Sequence, residues 1–266
     1  DEDTDCICVP DKERLTMETL LLERKGPVAW VWLNQRRRLN AIDETMLAEL
    51  GQVFEELDQD EAVRAIVLAA RGLVFSAGFD VAWMASQDAE TVIQGLPTVE
   101  AAFDTIEGCA KPVIAAVNGA AMGGGLLLTL VADLCLAAEG AKFGAPEVKI
   151  GIFPNLRLIP RLERIAGLRA AKRIVLLGDP VDAAEAWSLG LVDRVVPAAE
   201  LCTEAQTLAG QLAGLPSMPV QVAKAAFATS RDPGYVEWER EQFAACWAQP
   251  ERKAAMEAFL QARRKR

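Results

Sequence analysis

Three consecutive glycines, Gly123, Gly124 and Gly125, separate an apolar run at 112–117 from a leucine-rich helical pattern. The stretch reads as strand, tight turn, helix. The first N–H groups of a helix have no partner within it, and the macrodipole favours negative charge beside them. Such a helix head can hold an anion, or a carbonyl oxygen that gains charge during a reaction. Taken alone, the glycines serve equally well to let a helix pack tightly on a sheet, so other residues must decide. A second small-residue turn, Ser76-Ala77-Gly78, lies between Phe75 and Asp80 and would let backbone approach a ligand. One carboxylate, Glu147, stands in the apolar, restricted setting Lys142-Phe143-Gly144-Ala145-Pro146. It is a candidate acid or base, and equally a structural carboxylate paired with an arginine. Arg36-Arg37-Arg38 and Arg263-Arg264-Lys265-Arg266 form basic clusters of the kind that bind a small polyanion or simply face solvent.

What the chain lacks narrows the chemistry. There is no histidine in its 266 residues, which excludes Ser-His and Cys-His nucleophilic machinery and disfavours a zinc site; no metal is expected. The net charge of −10 opposes general binding to nucleic acid or to a membrane surface. No apolar stretch is long enough to span a bilayer. The six cysteines are scattered; Cys109, Cys135, Cys202 and Cys246 stand in apolar contexts of reduced core thiols, and Cys6-x-Cys8 lacks partners at metal spacing. The opening DEDTDCICVPDKER is acidic where a targeting peptide is basic, so residues 1–16 read as a leader to an intracellular, cytoplasmic protein, with Met17 a candidate earlier start.

The elements that must carry these residues alternate strand and helix. Val28–Leu33 and Ala65–Ala70 are continuous apolar runs suited to strands buried on both faces. Between them, Asp43 can cap a helix whose Met46, Leu50, Val53, Phe54 and Leu57 recur at helical spacing. A helical segment over 88–108 is expected to break into two at Gly95 and Pro97. Residues 112–117 and 133–138 are further strands, which predicts a largely parallel sheet with both small-residue turns at one edge. Beyond Pro154 the pattern is mostly helical. Asp182 and Glu185 open a helix over 183–189 that Gly190 ends, and 191–196 is a short extended piece.

Several stretches, in this order and spacing, resemble the crotonase superfamily of enoyl-CoA hydratases and isomerases over roughly residues 19–264: LNQRRRLNAI, AIVLAARGLVFSAGFDV, KPVIAAVNGAAMGGG, FGAPEVKIGIFP and GLVDRVVP. The resemblance implies an α/β fold of the ClpP/crotonase type, a spiral of ββα repeats over 17–200 with a helical C-terminal region at 201–266 used for trimerisation or as a lid. It implies a homotrimer or a dimer of trimers, and a coenzyme A thioester as substrate with no bound cofactor. It further implies that the thioester oxygen sits between two backbone N–H groups, mapped onto Ala77 and Gly124. Glu147 falls at a catalytic glutamate, and Arg37 at the basic residue that approaches the CoA phosphates. Ala41, Ser76, Phe79, Asp80, Val81, Gly123 and Asn155 fall beside the CoA or acyl group.

The chain departs from the family's hydratases at the second acid. Those enzymes use two glutamates, and the one after the glycine run falls here at Leu127, which carries no proton. Hydration needs a water activated while a proton reaches the α-carbon, whereas a double-bond shift needs only one base that moves a proton from C2 to C4. The pattern therefore resembles the one-glutamate 3-enoyl-CoA to 2-enoyl-CoA isomerases. Rival expectations are a hydratase whose missing acid is replaced by Asp80, Glu100 or Glu107, and a non-catalytic acyl-CoA binder. Asn155-Leu156-Arg157 also replaces a glycine-rich stretch common in hydratases, where Asn155 either meets the acyl group or caps a helix.

Overall fold

The computed structural model describes residues 14–86 and 89–229. A seven-stranded sheet runs in the order β1 (Arg14–Thr16), β2 (Leu20–Lys25), β3 (Val28–Leu33), β4 (Ala65–Ala70), β5 (Val113–Val117), β7 (Leu134–Ala138), β10 (Arg194–Val196). From β3 to β10 every neighbour is parallel; β1 and β2 add an antiparallel edge that the sequence reading did not anticipate. Arg14–Thr16 thus belongs to the sheet, paired with Leu21–Glu23, and these three residues are not part of the expected leader. Residues 1–13 and 230–266, with Cys6, Cys8, Cys246 and the terminal arginines, lie outside the described residues.

The apolar runs that read as doubly buried strands are so. Ala29, Val31, Leu33, Ile66, Leu68, Val113, Ala115 and Val117 face one core. Their alternates Val28, Trp30, Trp32, Ala65, Val67, Ile114 and Ala116 face the other. This period of two is a strand's own geometry, hidden in the sequence because both faces are apolar. The first core is closed by α1 (Glu44–Gln59), α3 (Ala89–Gly108) and α4 (Gly124–Val131), the second by Leu201, Cys202, Ala205, Ala209 and Ala213 of α7 (Leu201–Ala213). Asp43 caps α1 as expected, its carboxylate accepting the Met46 N–H at 2.9 Å. Asp182 does the same for α6 (Ala183–Ser188) through the Glu185 N–H at 2.8 Å.

Two expectations fail on the way to the site. α3 is one helix across Pro97, not two pieces. Pro97 and Thr98 face solvent, where the unpaired carbonyl one turn back can be hydrated, while Ala102, Phe103 and Ile106 anchor the far half in the core. The glycine-headed helix also does not leave β5 directly. A three-stranded sheet intervenes, in the order β6 (Ala120–Met122), β8 (Lys142–Gly144), β9 (Val181–Asp182). β6 and β8 are parallel with Met122 opposite Gly144, so the residues following each, Gly123 and the turn Pro146–Ile150, emerge side by side. α5 (Leu158–Leu177) and α8 (Ser217–Thr229) complete the described helices with the short α2 (Val81–Ser86).

Candidate active site

Because β3, β4 and β5 are parallel, the loops that follow them gather at one edge of the sheet, where ligands of such sheets bind. The loop after β3 holds the turn Arg36–Arg38 and left-handed Leu39 and Asn40, at φ 52° and 51°. Asn40 is fully buried and ties this loop to the next. Its amide donates to the carbonyls of Arg71 (2.9 Å) and Val74 (3.0 Å), and its oxygen accepts the Gln35 N–H at 2.9 Å.

The loop after β4 is stitched on both sides. Ser76 pairs with Ala121 as an isolated bridge, and its hydroxyl donates to the Asn40 carbonyl at 2.7 Å while accepting the Gly78 N–H at 3.1 Å. Ser76 is wholly buried, so its hydroxyl shapes the turn and offers nothing to a ligand, contrary to its expected binding role. The same stitching corrects Ala77. Its N–H donates to the Leu39 carbonyl at 3.0 Å and is not available to a thioester oxygen. Asp80 N–H is used by the Ile42 carbonyl at 3.1 Å. That leaves Phe79, whose N–H has no acceptor among the described residues.

Gly124, at the first position of α4, also has an N–H with no acceptor among the described residues. The two N–H groups belong to touching turns: a Cβ on Gly124 would lie 2.9 Å from the Phe79 ring, and one on Gly78 would lie 2.7 Å from the Met122 carbonyl and 3.4 Å from Gly124 N. Gly78 has φ +93° and Gly123, the residue before α4, φ +52° with ψ −113°, angles that a side chain strongly disfavours. A Cβ on Gly123 would also meet Glu147 Oε1 at 2.9 Å, so the carboxylate lies against the head of α4. Glu147 Oε2 is buried without a hydrogen-bond partner. Burial pushes this carboxyl above the ordinary carboxylate value, an effect its own backbone N–H only partly offsets. The structural alternative for Glu147, an ion pair with an arginine, is not what the chain forms: no salt bridge to it exists among the described residues.

Leu127 lies three residues along α4 from Gly124, is 1% exposed and belongs to the main core. It therefore presents apolar surface one turn inside the helix head. Of the carboxylates considered as substitutes, Asp80 is committed to Arg38 and to the Trp83 N–H (3.0 Å). The Trp83 N–H first, and then Arg38, hold its carboxyl below the ordinary range. Glu107 is bound by Arg161 and Arg164; burial would raise its carboxyl, and these cations bring it below the ordinary range. Glu100 is half-buried on α3. Arg37 is exposed and has no partner among the described residues; Ala41 is half-buried, and Val81 is exposed at the start of α2. Asn155 is exposed. The residue preceding α5 is Arg157, with no side-chain cap, so Asn155 is not a capping side chain, although its carbonyl accepts the Leu158 N–H at 3.0 Å.

The family description Enoyl-CoA hydratase/isomerase matches residues 23–266. The chain belongs to that family. It is 36% identical over 256 residues to a probable enoyl-CoA hydratase of Mycobacterium bovis, covering 94% of this chain and 97% of that protein. It is 34% identical over 255 residues to the crotonyl-CoA hydratase of Syntrophomonas wolfei, covering 94% and 98%. Among solved structures, an enoyl-CoA hydratase from Bacillus anthracis matches with TM-score 0.88 and 28% identity, covering 92% of this chain and 97% of that one. One from Geobacillus kaustophilus matches at TM-score 0.86 and 35% identity, covering 92% and 95%. The fold is thus the α/β crotonase fold expected from the sequence. In this member of the enoyl-CoA hydratase/isomerase family, two N–H groups without acceptors among the described residues thus lie near a half-buried carboxylate that has one unpartnered oxygen.

Proposed function

We propose that this chain is a 3-enoyl-CoA to 2-enoyl-CoA isomerase in which Glu147 carries the proton. The carrying observation is the pairing of a half-buried Glu147, whose Oε2 is buried without a hydrogen-bond partner, with a fully buried leucine, Leu127, where the family's hydratases have their other acid. The thioester oxygen accepts the N–H groups of Phe79 and Gly124, with Phe79 replacing Ala77 in that role. Glu147 removes a proton from C2, leaving a dienolate whose charge rests largely on that oxygen. The same carboxylic acid then gives the proton to C4, so the double bond moves to C2–C3 and no atom is gained or lost. The raised affinity of Glu147 for its proton suits both steps, since a carboxylate of ordinary acidity is a weak base for a carbon acid. Leu127 keeps water from the intermediate. Arg37 holds the CoA phosphates, with Ala41 and Val81 beside the nucleotide and acyl portions. CoA enters as substrate, not as cofactor, and the assembly that accompanies this reading is a homotrimer or a pair of trimers.

The relatives' names favour a second reading, hydration of a 2-enoyl-CoA, because the curated proteins cited above are called hydratases. Incubation with 3-hexenoyl-CoA and, separately, 2-hexenoyl-CoA separates the two. Conjugated product from the first and no water addition to the second support isomerisation. Rapid hydration of the second overturns it.

A further inference from the structure

Of the three arginines at 36–38, the proposed function uses only Arg37, and Arg38 is engaged elsewhere. Its guanidinium pairs with Asp43, the cap of α1, at 2.5 Å and with Asp80, which precedes α2. Asp80 divides its carboxylate: Oδ2 meets Arg38, and Oδ1 accepts the Trp83 N–H at 3.0 Å in the first turn of α2. Both carboxylates are largely covered, each side chain 16% exposed, while the Arg38 side chain between them is 48% exposed. Beneath the guanidinium, the backbone of the two loops is laced by Ala77 N–H to Leu39 O, Ile42 N–H to Gly78 O (2.8 Å) and Asp80 N–H to Ile42 O. These bonds fix the direction of the Phe79 N–H, because they consume its neighbours on both sides.

We propose that Arg38 is a positioning residue, a clasp that locks the loop bearing Arg37 to the turn bearing the Phe79 N–H, so that phosphate binding and oxyanion stabilisation share one rigid body. The inference rests on the functional reading above. It differs from the simpler idea that Arg38 adds a second phosphate contact, since its charge is already met by two carboxylates. Both carboxyls are held below the ordinary range. For Asp80 the Trp83 N–H contributes most and Arg38 next; for Asp43 burial opposes the shift, while the Met46 N–H, Gln35 and Arg38 outweigh it. The clasp therefore survives through the pH range in which Glu147 titrates.

The test compares Arg38→Ala, Arg38→Lys and Asp80→Asn on 3-hexenoyl-CoA and on the N-acetylcysteamine thioester of the same acid, which keeps the carbonyl and lacks the phosphates. Misplacing a reacting group by about 1 Å costs up to about 100-fold. A clasp predicts that Arg38→Ala lowers kcat roughly 10- to 100-fold with both thioesters. Asp80→Asn should act in the same direction, because its one amide oxygen can serve Trp83 while the NH2 turns toward the guanidinium. Arg38→Lys should recover part of the loss. If Arg38→Ala raises only KM for the CoA thioester, or if Asp80→Asn tightens CoA binding by freeing Arg38, the clasp is overturned in favour of a phosphate contact. Amide hydrogen exchange supplies a readout independent of turnover: Ile42, Ala77 and Asp80 should exchange faster in Arg38→Ala and Asp80→Asn while α7 is unchanged. Unchanged protection at those three amides overturns the clasp even if wild type proves inactive on enoyl thioesters, which would itself overturn only the functional reading.

Discussion

Replacing Glu147 by glutamine changes one atom of the side chain and, on the proposed mechanism, removes the only proton carrier. The general-base contribution is about 10²–10⁴-fold, or about 2.7–5.5 kcal/mol at about 1.36 kcal/mol per tenfold. The upper end is expected, because two of the three carboxylates considered as substitutes, Asp80 and Glu107, are tied to arginine, and the hydratases' other acid position is the apolar Leu127. Stability should move the other way. The Glu147 carboxyl is raised above its ordinary value of 4.5 by burial, so between that value and its folded-state value the native chain binds more protons than the unfolded one. Its contribution to stability is full at low pH and is lost as pH rises through the folded-state value. At neutral pH the glutamine, which has no charge to bury, should leave the protein as stable as wild type or slightly more so. The assay is initial-rate formation of conjugated thioester from 3-hexenoyl-CoA across pH, with thermal melts of the same samples. Wild type should lose kcat/KM as pH falls, with the acid limb lying above the ordinary carboxylate range. A loss in Glu147→Gln smaller than about tenfold, or an acid limb that persists in that variant, refutes the assignment of the base.

Gly78→Ala should unite a folding cost with a larger catalytic one. The residue has φ +93° and its Cβ would press on the Met122 carbonyl, a strain of about 1–3 kcal/mol, while the displaced turn carries the Phe79 N–H; kcat is expected to fall by more than the melting shift accounts for. Leu127→Glu forfeits about 1.5–3 kcal/mol of apolar burial before any charge is counted, so a clear fall in melting temperature is expected, together with hydration of 2-hexenoyl-CoA above the wild-type level. Asn40→Ala leaves the Arg71 and Val74 carbonyls without that partner in a closed site, at about 1–3 kcal/mol per unsatisfied group. Urea denaturation should show a destabilisation of several kcal/mol, with the Ala77 amide among the first to lose protection.

The long apolar strands and the capped helix were legible because their signals are local. Val28–Leu33 and Ala65–Ala70 lie where the sequence puts them, and Asp43 caps α1. The second sheet was not legible, since three residues such as Ala120–Met122 are too few to show a period, and their pairing with Lys142–Gly144 spans about twenty residues. That sheet brings Glu147 to the helix head, so both partners could be nominated from sequence and their contact could not. The free N–H that the proposed mechanism uses lies two residues from the expected Ala77, for a similar reason. Which N–H of Ser76-Ala77-Gly78-Phe79 remains free depends on which ones the Ala120 and Leu39 carbonyls and the Ser76 hydroxyl consume. The signal available was Gly78 itself: a left-handed residue reverses the peptide direction, so the N–H after it points away from those before it.

Hydration and double-bond migration pass through the same kind of enolate, and a helix head that stabilises the charged oxygen does not discriminate between them. Discrimination must come from what stands beside the β-carbon. On the proposed mechanism α4 performs both tasks within one turn, because residues three apart share a helix face. Gly124 offers its N–H at the end of the helix and Leu127 closes the wall behind it, inside a core that also contains Leu126 and Leu128. Supplying an acid at 127 restores a proton donor without clearing space for the water that hydration consumes. On the proposed mechanism, the choice of reaction therefore resides in the packing of that turn as much as in the missing carboxylate, and a switch to efficient hydration is expected to require smaller residues around position 127 as well as an acid upon it.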